Sequence, residues 1–201
     1  AKLEPRKRES VCNQCHLAGL WRQPRFGKSF LDFRPGQDLS EAWTVMVHGT
    51  GFDEQGDVKF TSHVEQMHSS RCFQASEGKL GCISCHDPHR TPDPQQIETF
   101  YRSRCLKCHT TDGCSEDEPA RTARGDSCIH CHMGKTNVNN IAHSSATDHR
   151  ILKSLSDHTS ADQKNDPRWE YFDNADQRIP DWEQDRADGI ALYVQSTKTS
   201  N

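Results

Sequence analysis

The sequence Cys-Ile-Ser-Cys-His at residues 82–86 belongs to a pattern that occurs four times in the chain. The other copies, in chain order, are Cys-Asn-Gln-Cys-His at 12–16, Cys-Leu-Lys-Cys-His at 105–109 and Cys-Ile-His-Cys-His at 128–132. In every copy a histidine directly follows the second cysteine. Two cysteines three positions apart lie on one helical turn, so each motif gathers two thiols and one imidazole.

This spacing is the attachment signature of c-type haem. The two thiols form thioethers with the two vinyl groups of one porphyrin, and the histidine binds the iron from the same side. We therefore predict four covalently bound haems. The attachment residues are Cys12, Cys15 and His16; Cys82, Cys85 and His86; Cys105, Cys108 and His109; and Cys128, Cys131 and His132.

Two other sites use paired cysteines. A structural zinc site binds Cys-x-x-Cys pairs, but it does not require a histidine after every second cysteine. A thioredoxin-like dithiol needs one such pair in a βαβ setting, and the sequence has no such pattern. Four pairs that are all followed by histidine favour haem over both alternatives.

The composition agrees with cofactors as part of the core. Of the 201 residues, 32% are hydrophobic and 27% are charged, and the mean hydropathy is −0.94. Taken alone, these values lean toward disorder, because few apolar side chains offset the chain entropy. Large porphyrin faces supply the missing apolar surface. We predict a mainly α fold with extensive irregular loops, in which short helices wrap around four haems with little or no sheet.

Local signals place several helices. We expect a helix over 39–48 with Ser40 as its cap, and another that is capped by Thr61 or Ser62 and runs through Met67 to Phe73. Asp93 followed by Pro94 predicts a helix that leads into the third motif.

The predicted organisation is a tetrahaem cytochrome c domain over 1–160 and a polar C-terminal tail over 161–201. Pro180 opens an amphipathic helix in that tail, through Ile190 and Val194. We expect this helix to be a docking segment or the start of a helical repeat region.

The location is predicted from the attachment chemistry and the flanking sequence. Thioether attachment normally takes place outside the cytoplasm, so we expect a periplasmic, extracellular or cell-surface protein. No run of about 18 apolar residues is present, which predicts no transmembrane segment. The basic, polar residues 1–10 do not resemble a signal peptide, so either a signal was removed or the chain is a piece of a longer one. The net charge of −4 gives no argument for nucleic acid.

A low-spin electron carrier needs a sixth ligand on each iron. The chain has 12 histidines, and the four motif histidines leave eight others. Methionine is the alternative ligand, but the chain has only three, so we favour bis-histidine ligation. The predicted distal ligands are His63, His89, His143 and His149, with His68 close behind and His130 as a spacer. His89 is too close to His86 to reach the far side of the same haem, so we predict that it binds the haem of the third motif.

Cys72 and Cys114 lie outside the haem motifs. In an oxidising compartment two leftover thiols favour a disulfide. The alternative is two unpaired buried cysteines.

The chain resembles a known group of multihaem cytochromes. The resemblance rests on Ser-His-Val-Glu-Gln-Met at 62–67, Gly-Cys-Ile-Ser-Cys-His-Asp-Pro-His at 81–89, residues 128–133 and Thr-Asp-His-Arg-Ile at 147–151. That group consists of doubled Cys-x-x-Cys-His c-type cytochromes, common in planctomycetes, that often carry tetratricopeptide repeats. It is similar to the tetrahaem cytochromes of ammonia oxidisers. This chain departs from the group in lacking the repeats and an upstream haem-bearing segment, so the resemblance implies that a ligand for some iron could come from residues outside this sequence or from a neighbouring subunit.

Three functions fit these features. The first is electron transfer to redox partner proteins through four low-spin haems, without enzymatic activity. The second is a special case of the first, in which the chain is a homo-oligomeric subunit of a polymeric haem wire. The third is an oxidoreductase acting on a nitrogen or sulfur oxyanion, which requires one iron with an open position.

Overall fold

The computed structural model describes residues 3–48, 62–110, 114–137, 145–153 and 169–199. The chain divides into two compact units. The first unit comprises Ala1–Glu65 and Ala161–Asn201, and the second comprises Gln66–Ser160. The predicted division into a haem domain over 1–160 and a tail over 161–201 stays a prediction.

The first unit contains a three-stranded antiparallel sheet in the order β1-β2-β5. Its strands are β1 (Trp21–Pro24), β2 (Trp43–His48) and β5 (Trp169–Tyr171). Met46 of the central strand pairs with Trp21 on one side and with Tyr171 on the other. The central strand is Trp-Thr-Val-Met-Val-His, and its aromatic and β-branched residues favour extended backbone.

The predicted helix over 39–48 is wrong. The chain forms a short 3₁₀ helix at Leu39–Glu41, and β2 begins two residues later. Asp38, rather than Ser40, is the N-cap: its side chain accepts a hydrogen bond from the Ser40 backbone, and Glu41 completes the capping box. The β-branched residues that follow the 3₁₀ helix then continue as a strand.

Two helices pack in the first unit, α1 (Pro5–His16) and α8 (Asp181–Thr199). Helix α8 begins directly after Pro180, in agreement with the sequence, and buries Ala187 and Ala191 against Met46. A second buried cluster lies beside the sheet and contains Leu17, Phe33, Leu39, Ala42, Trp43, Val45 and Val64. The first unit therefore has an ordinary hydrophobic core.

The second unit consists of short helices and one hairpin. Its helices are α3 (Arg71–Ala75), α4 (Cys82–Cys85), α5 (Ile97–Cys105), α6 (Glu118–Ala123) and α7 (Cys128–His132), and its strands are β3 (Lys135–Asn137) and β4 (Ser145–Thr147). Helix α2 (His63–Ser69) crosses the division between the units. Ser62 precedes α2, and its backbone N–H donates to Glu65 at 2.9 Å, which explains why the helix starts there.

The described residues of the second unit bury very little apolar surface. Among them, Met67 is the only hydrophobic residue that is buried, at 9% exposure. The fold class predicted from the sequence, short helices and irregular loops with little sheet, is confirmed.

Within the described ranges, no helix is both long enough and apolar enough to cross a membrane.

Candidate haem-binding sites

All four motifs lie on helical turns. The first ends helix α1, the second forms α4, the third follows from the end of α5, and the fourth forms α7. In the second motif the His86 backbone N–H donates to the Cys82 carbonyl at 2.9 Å, and in the third the His109 N–H donates to the Cys105 carbonyl at 2.9 Å. This turn places both thiols and the imidazole of one motif together, as attachment to one porphyrin requires.

The motif thiols of the second unit lie near one another. Burial raises the pKa of the Cys85 thiol. Burial also raises the pKa of Cys105 to about 11, and the nearby Cys128 and Cys85 thiols add to this effect. Before haem attachment, the Cys85 and Cys105 thiols are therefore protonated and uncharged at neutral pH.

A predicted distal histidine lies beside the first motif. The ring centroids of His16 and His63 are 6.1 Å apart, and their planes are inclined by 31°. Both imidazoles are exposed in the protein chain. His16 ends α1 and His63 begins α2, so two helix ends of the first unit present these rings to each other.

A second histidine pair forms in the second unit. The ring centroids of His86 and His149 are 6.3 Å apart, and their planes are inclined by 24°. His86 follows α4, whereas His149 lies just beyond β4. The Tyr101 hydroxyl lies 3.4 Å from Nδ1 of His86, with the tyrosine ring edge-on to the imidazole.

Both separations fit one iron between two imidazoles. A metal ion bound by one nitrogen of each of two imidazoles, at about 2.0 Å from each nitrogen, would place the two ring centroids roughly 6 Å apart. The His16–His63 and His86–His149 pairs, at 6.1 and 6.3 Å, meet this requirement. The residues present therefore fit a haem iron at the first and the second motif.

Hydrogen bonds fix the tautomer of two of the histidines. Nδ1 of His149 lies 2.8 Å from the Thr147 carbonyl, and Nδ1 of His132 lies 2.7 Å from the Leu152 carbonyl. Because a carbonyl oxygen only accepts hydrogen bonds, each Nδ1 carries a proton, so the neutral form of each ring has its lone pair on Nε2. An imidazole whose Nδ1 carries the proton binds a metal through Nε2.

The other predicted ligands are placed differently. His89 is exposed, and its backbone N–H donates to Asp87 Oδ1 at 2.9 Å. His109 is also exposed. Ligation of the third haem by His89 stays a prediction, and His143 lies outside the described residues.

Two further histidines have protein partners of their own. The ring of His68 stacks on Phe73, with 4.1 Å between centroids. Nδ1 of His130 lies 3.6 Å from Glu98 Oε1. Each of these two rings therefore has a contact within the second unit.

The predicted disulfide between Cys72 and Cys114 is wrong for this structure, which has both as free thiols. The Cys114 side chain is exposed. Burial raises the pKa of the Cys72 thiol, and Cys108 of the third motif raises it further. Cys72 thus lies close to the motif thiols.

Sequence reasoning missed the residues that orient the imidazoles. These include Tyr101 and the backbone carbonyls of Thr147 and Leu152. Every residue has a backbone carbonyl, so a sequence does not show which carbonyls accept a hydrogen bond from a histidine. The opposite charges of Asp148 and Arg150 on either side of His149 were the one signal available.

Residues 74–113 match the family model described as Doubled CXXCH motif. The matched stretch contains the second and third motifs together with His89. No curated protein and no solved structure matches the chain. The match does not support the tetratricopeptide repeats or the likeness to cytochromes of ammonia oxidisers that the resemblance implied. The doubled motif, on helical turns that each gather two thiols and a histidine, supports a multihaem c-type cytochrome-like protein that binds haem c and transfers electrons.

Proposed function

We propose that this chain transfers electrons through four covalently bound c-type haems, mostly low-spin and ligated by two histidines, in a compartment outside the cytoplasm. The histidine pairs carry this proposal. Two motif histidines each face a second imidazole at a distance that fits one iron, 6.1 Å for His16–His63 and 6.3 Å for His86–His149. An iron held on both sides by imidazole is suited to cycle between two oxidation states without binding substrate.

The chain contributes ligands, orientation and apolar surroundings. Haem c supplies the one-electron redox chemistry when it is bound. His149 and His132 each donate Nδ1–H to a backbone carbonyl, which fixes the ring and makes Nε2 a stronger ligand. Bis-histidine ligation favours lower potentials than histidine–methionine ligation does.

The proposed location follows from the number of attachment cysteines. Eight motif thiols that must each form a thioether need the attachment machinery found outside the cytoplasm. Cell fractionation of a host that matures c-type cytochromes tests this part, with holoprotein expected in the exported fraction. Holoprotein that accumulates in the cytoplasm would contradict it.

Spectroscopy of the holoprotein tests the electron-transfer proposal. We expect low-spin ferric haem by electron paramagnetic resonance and reversible reduction in a potentiometric titration. His63→Ala and His149→Ala should each convert one haem to the high-spin form while the haem count stays the same. His130→Ala is the matched control, because it removes an exposed histidine that the proposal does not use as a ligand.

The same experiment distinguishes electron transfer from the alternative function, an oxidoreductase. A wild-type protein with a high-spin haem that binds nitrite or sulfite would favour an oxidoreductase. Low-spin spectra that stay unchanged in both ligand variants would refute the assigned pairs.

A further inference from the structure

The segment 147–152 touches the predicted ligands of two different haems. We propose that this segment, here called the strap, positions the distal ligand of the second haem and the proximal ligand of the fourth, and that the Asp148–Arg150 ion pair holds it in place. The inference rests on the proposed function. It assigns a role to residues that lie outside the attachment motifs and, apart from His149, bind no iron.

The β3–β4 hairpin brings the strap back to the fourth motif. Lys135 pairs with Thr147, so the chain that leaves His132 returns beside it at the end of β4. The Asp148 backbone N–H then donates to the Gly134 carbonyl at 2.8 Å. The strap therefore starts from a fixed point just after the fourth motif.

One end of the strap directs His149 toward the second motif. Its Nδ1–H donates to the Thr147 carbonyl at 2.8 Å, and its backbone N–H donates to Gln66 Oε1 at 2.8 Å. Both bonds restrain the imidazole that faces His86 at 6.3 Å. The strap therefore fixes the side-chain rotation of His149 through Thr147, and Gln66 fixes its backbone position.

The other end of the strap holds His132. The Leu152 carbonyl accepts the Nδ1–H of His132 at 2.7 Å, and the Leu152 N–H donates to the His132 carbonyl at 3.0 Å. This pair of bonds joins the strap to both the side chain and the backbone of the proximal ligand. An imidazole that donates Nδ1–H to a carbonyl is a more basic iron ligand, which favours the ferric state.

Between these ends lies a buried ion pair. Asp148 is fully buried and Arg150 is 8% exposed. Nε of Arg150 donates to both carboxylate oxygens at 3.0 Å, and its backbone N–H donates to Asp148 Oδ1 at 2.8 Å. These bonds close a tight turn around His149 that a solvated pair would not maintain.

The backbone after the ion pair is strained. Ile151 has a φ of 53°, a conformation that is unfavourable for a β-branched residue. This residue turns the chain so that the next carbonyl, that of Leu152, meets His132. Strain of this kind persists where the surrounding contacts fix the backbone, and it concentrates at functional sites.

The test compares three holoprotein variants by electron paramagnetic resonance and by potentiometric titration, with haem-methyl NMR to assign each potential to its motif. Asp148→Asn combined with Arg150→Gln removes both charges without leaving one of them buried alone. We expect it to lose the low-spin signal of the second haem and to raise the potential of the fourth. His149→Ala should lose the same low-spin signal and leave the fourth haem's potential unchanged. Asp117→Asn, an exposed helix cap in the same unit, should change neither.

A milder variant covers the case in which the double variant does not fold. Arg150→Lys keeps the charge but loses the fork that binds both carboxylate oxygens, and it should shift both haems in the same directions by less. Changes confined to one haem, or to none, in the folded strap variants would overturn the proposal. A wild-type protein without low-spin haem at the second motif would instead refute the proposed function, so the two failures are distinguishable.

Discussion

The two units of this chain hold themselves together by different means. The first unit buries two clusters of apolar side chains around a three-stranded sheet, with Met46 fully buried at the centre. The described residues of the second unit bury one apolar side chain, Met67. The second unit nevertheless carries three of the four haem motifs, whereas the first carries one.

This contrast indicates what fixes each fold. Side-chain burial drives folding of the first unit in the ordinary way. The described residues of the second unit bury too little apolar side-chain surface to offset the chain entropy, so we expect haem faces to complete its core. The folding of the second unit should therefore depend on bound haem far more than the folding of the first unit does.

The largest expected effect comes from removing haem from each unit separately. Cys82→Ser with Cys85→Ser should abolish haem attachment at the second motif. We expect the second unit to unfold as a result, because its three motifs would share one core that depends on haem. Hydrogen exchange across 82–132 should then approach that of an unfolded chain. Cys12→Ser with Cys15→Ser should leave slow exchange in the Trp43–His48 strand, because the sheet and its clusters remain.

The paired variants serve as controls for each other. Slow exchange across 82–132 in the variant that lacks the second haem would mean that the second unit has a core of its own. Loss of protection in the Trp43–His48 strand after removal of the first haem would show that the first unit also depends on its cofactor.

Two buried methionines provide a finer comparison. Met46→Ala should destabilise the first unit by about 2 to 5 kcal/mol, because it leaves a cavity in the centre of the core. Met67→Ala should lower the free energy of unfolding of the second unit by ~2 kcal/mol, the low end of that range, because Met67 belongs to neither of the two apolar clusters. Urea unfolding followed by tryptophan fluorescence reports the first unit, since all four tryptophans lie in it, and amide hydrogen exchange across 82–132 in increasing urea reports the second. An equal loss of unfolding free energy in both variants would contradict the claim that only the first unit has a core of packed side chains.

A tyrosine in the first unit should make its stability depend on pH. Burial, followed by the hydrogen bond to Asp188, raises the pKa of Tyr171. The unfolded state therefore loses this proton first, and the stabilisation is complete below pH ~10 and declines as the pH rises above that value.

Tyr171→Phe should cost about 1 kcal/mol at neutral pH, for the lost hydrogen bond, and should reduce the decline above pH ~10. Unfolding curves between neutral and alkaline pH measure both effects. Tyr193→Phe is the matched control, because that side chain is 70% exposed. A decline of the same slope in wild type and Tyr171→Phe would contradict this role.

The smallest effect concerns backbone strain in the second unit. Ile151→Gly should stabilise the holoprotein by about 0.5 to 1 kcal/mol, since relief of the left-handed conformation exceeds the entropy cost of glycine. Asn174 of the first unit has a similar φ of 50°, but asparagine tolerates this conformation. Asn174→Gly should therefore gain less. Thermal unfolding of both variants measures the difference, and a larger gain at Asn174 would contradict it.

The parts predictable from the sequence were local ones. The motifs and the start of α8 after Pro180 depend on neighbouring residues, so spacing and capping signals were enough. The sequence predicts a helix where the strand Trp43–His48 forms. This strand pairs with Tyr171, which lies far along the chain, and a short sequence window contains no information about pairing over such a distance.

The ligand pairs show the same limit. The sequence supplied His63 and His149 as candidates, but only the fold places one beside His16 and the other beside His86. The disulfide failed for a related reason, because the number of leftover cysteines says nothing about where their thiols lie.

Mass spectrometry of the intact holoprotein under denaturing conditions tests the central claim most directly. Thioether-linked haem survives denaturation, whereas bound metal ions and non-covalent haem do not. The account predicts four haem additions to the 22.9 kDa chain, one for each motif. Fewer than four additions would contradict it.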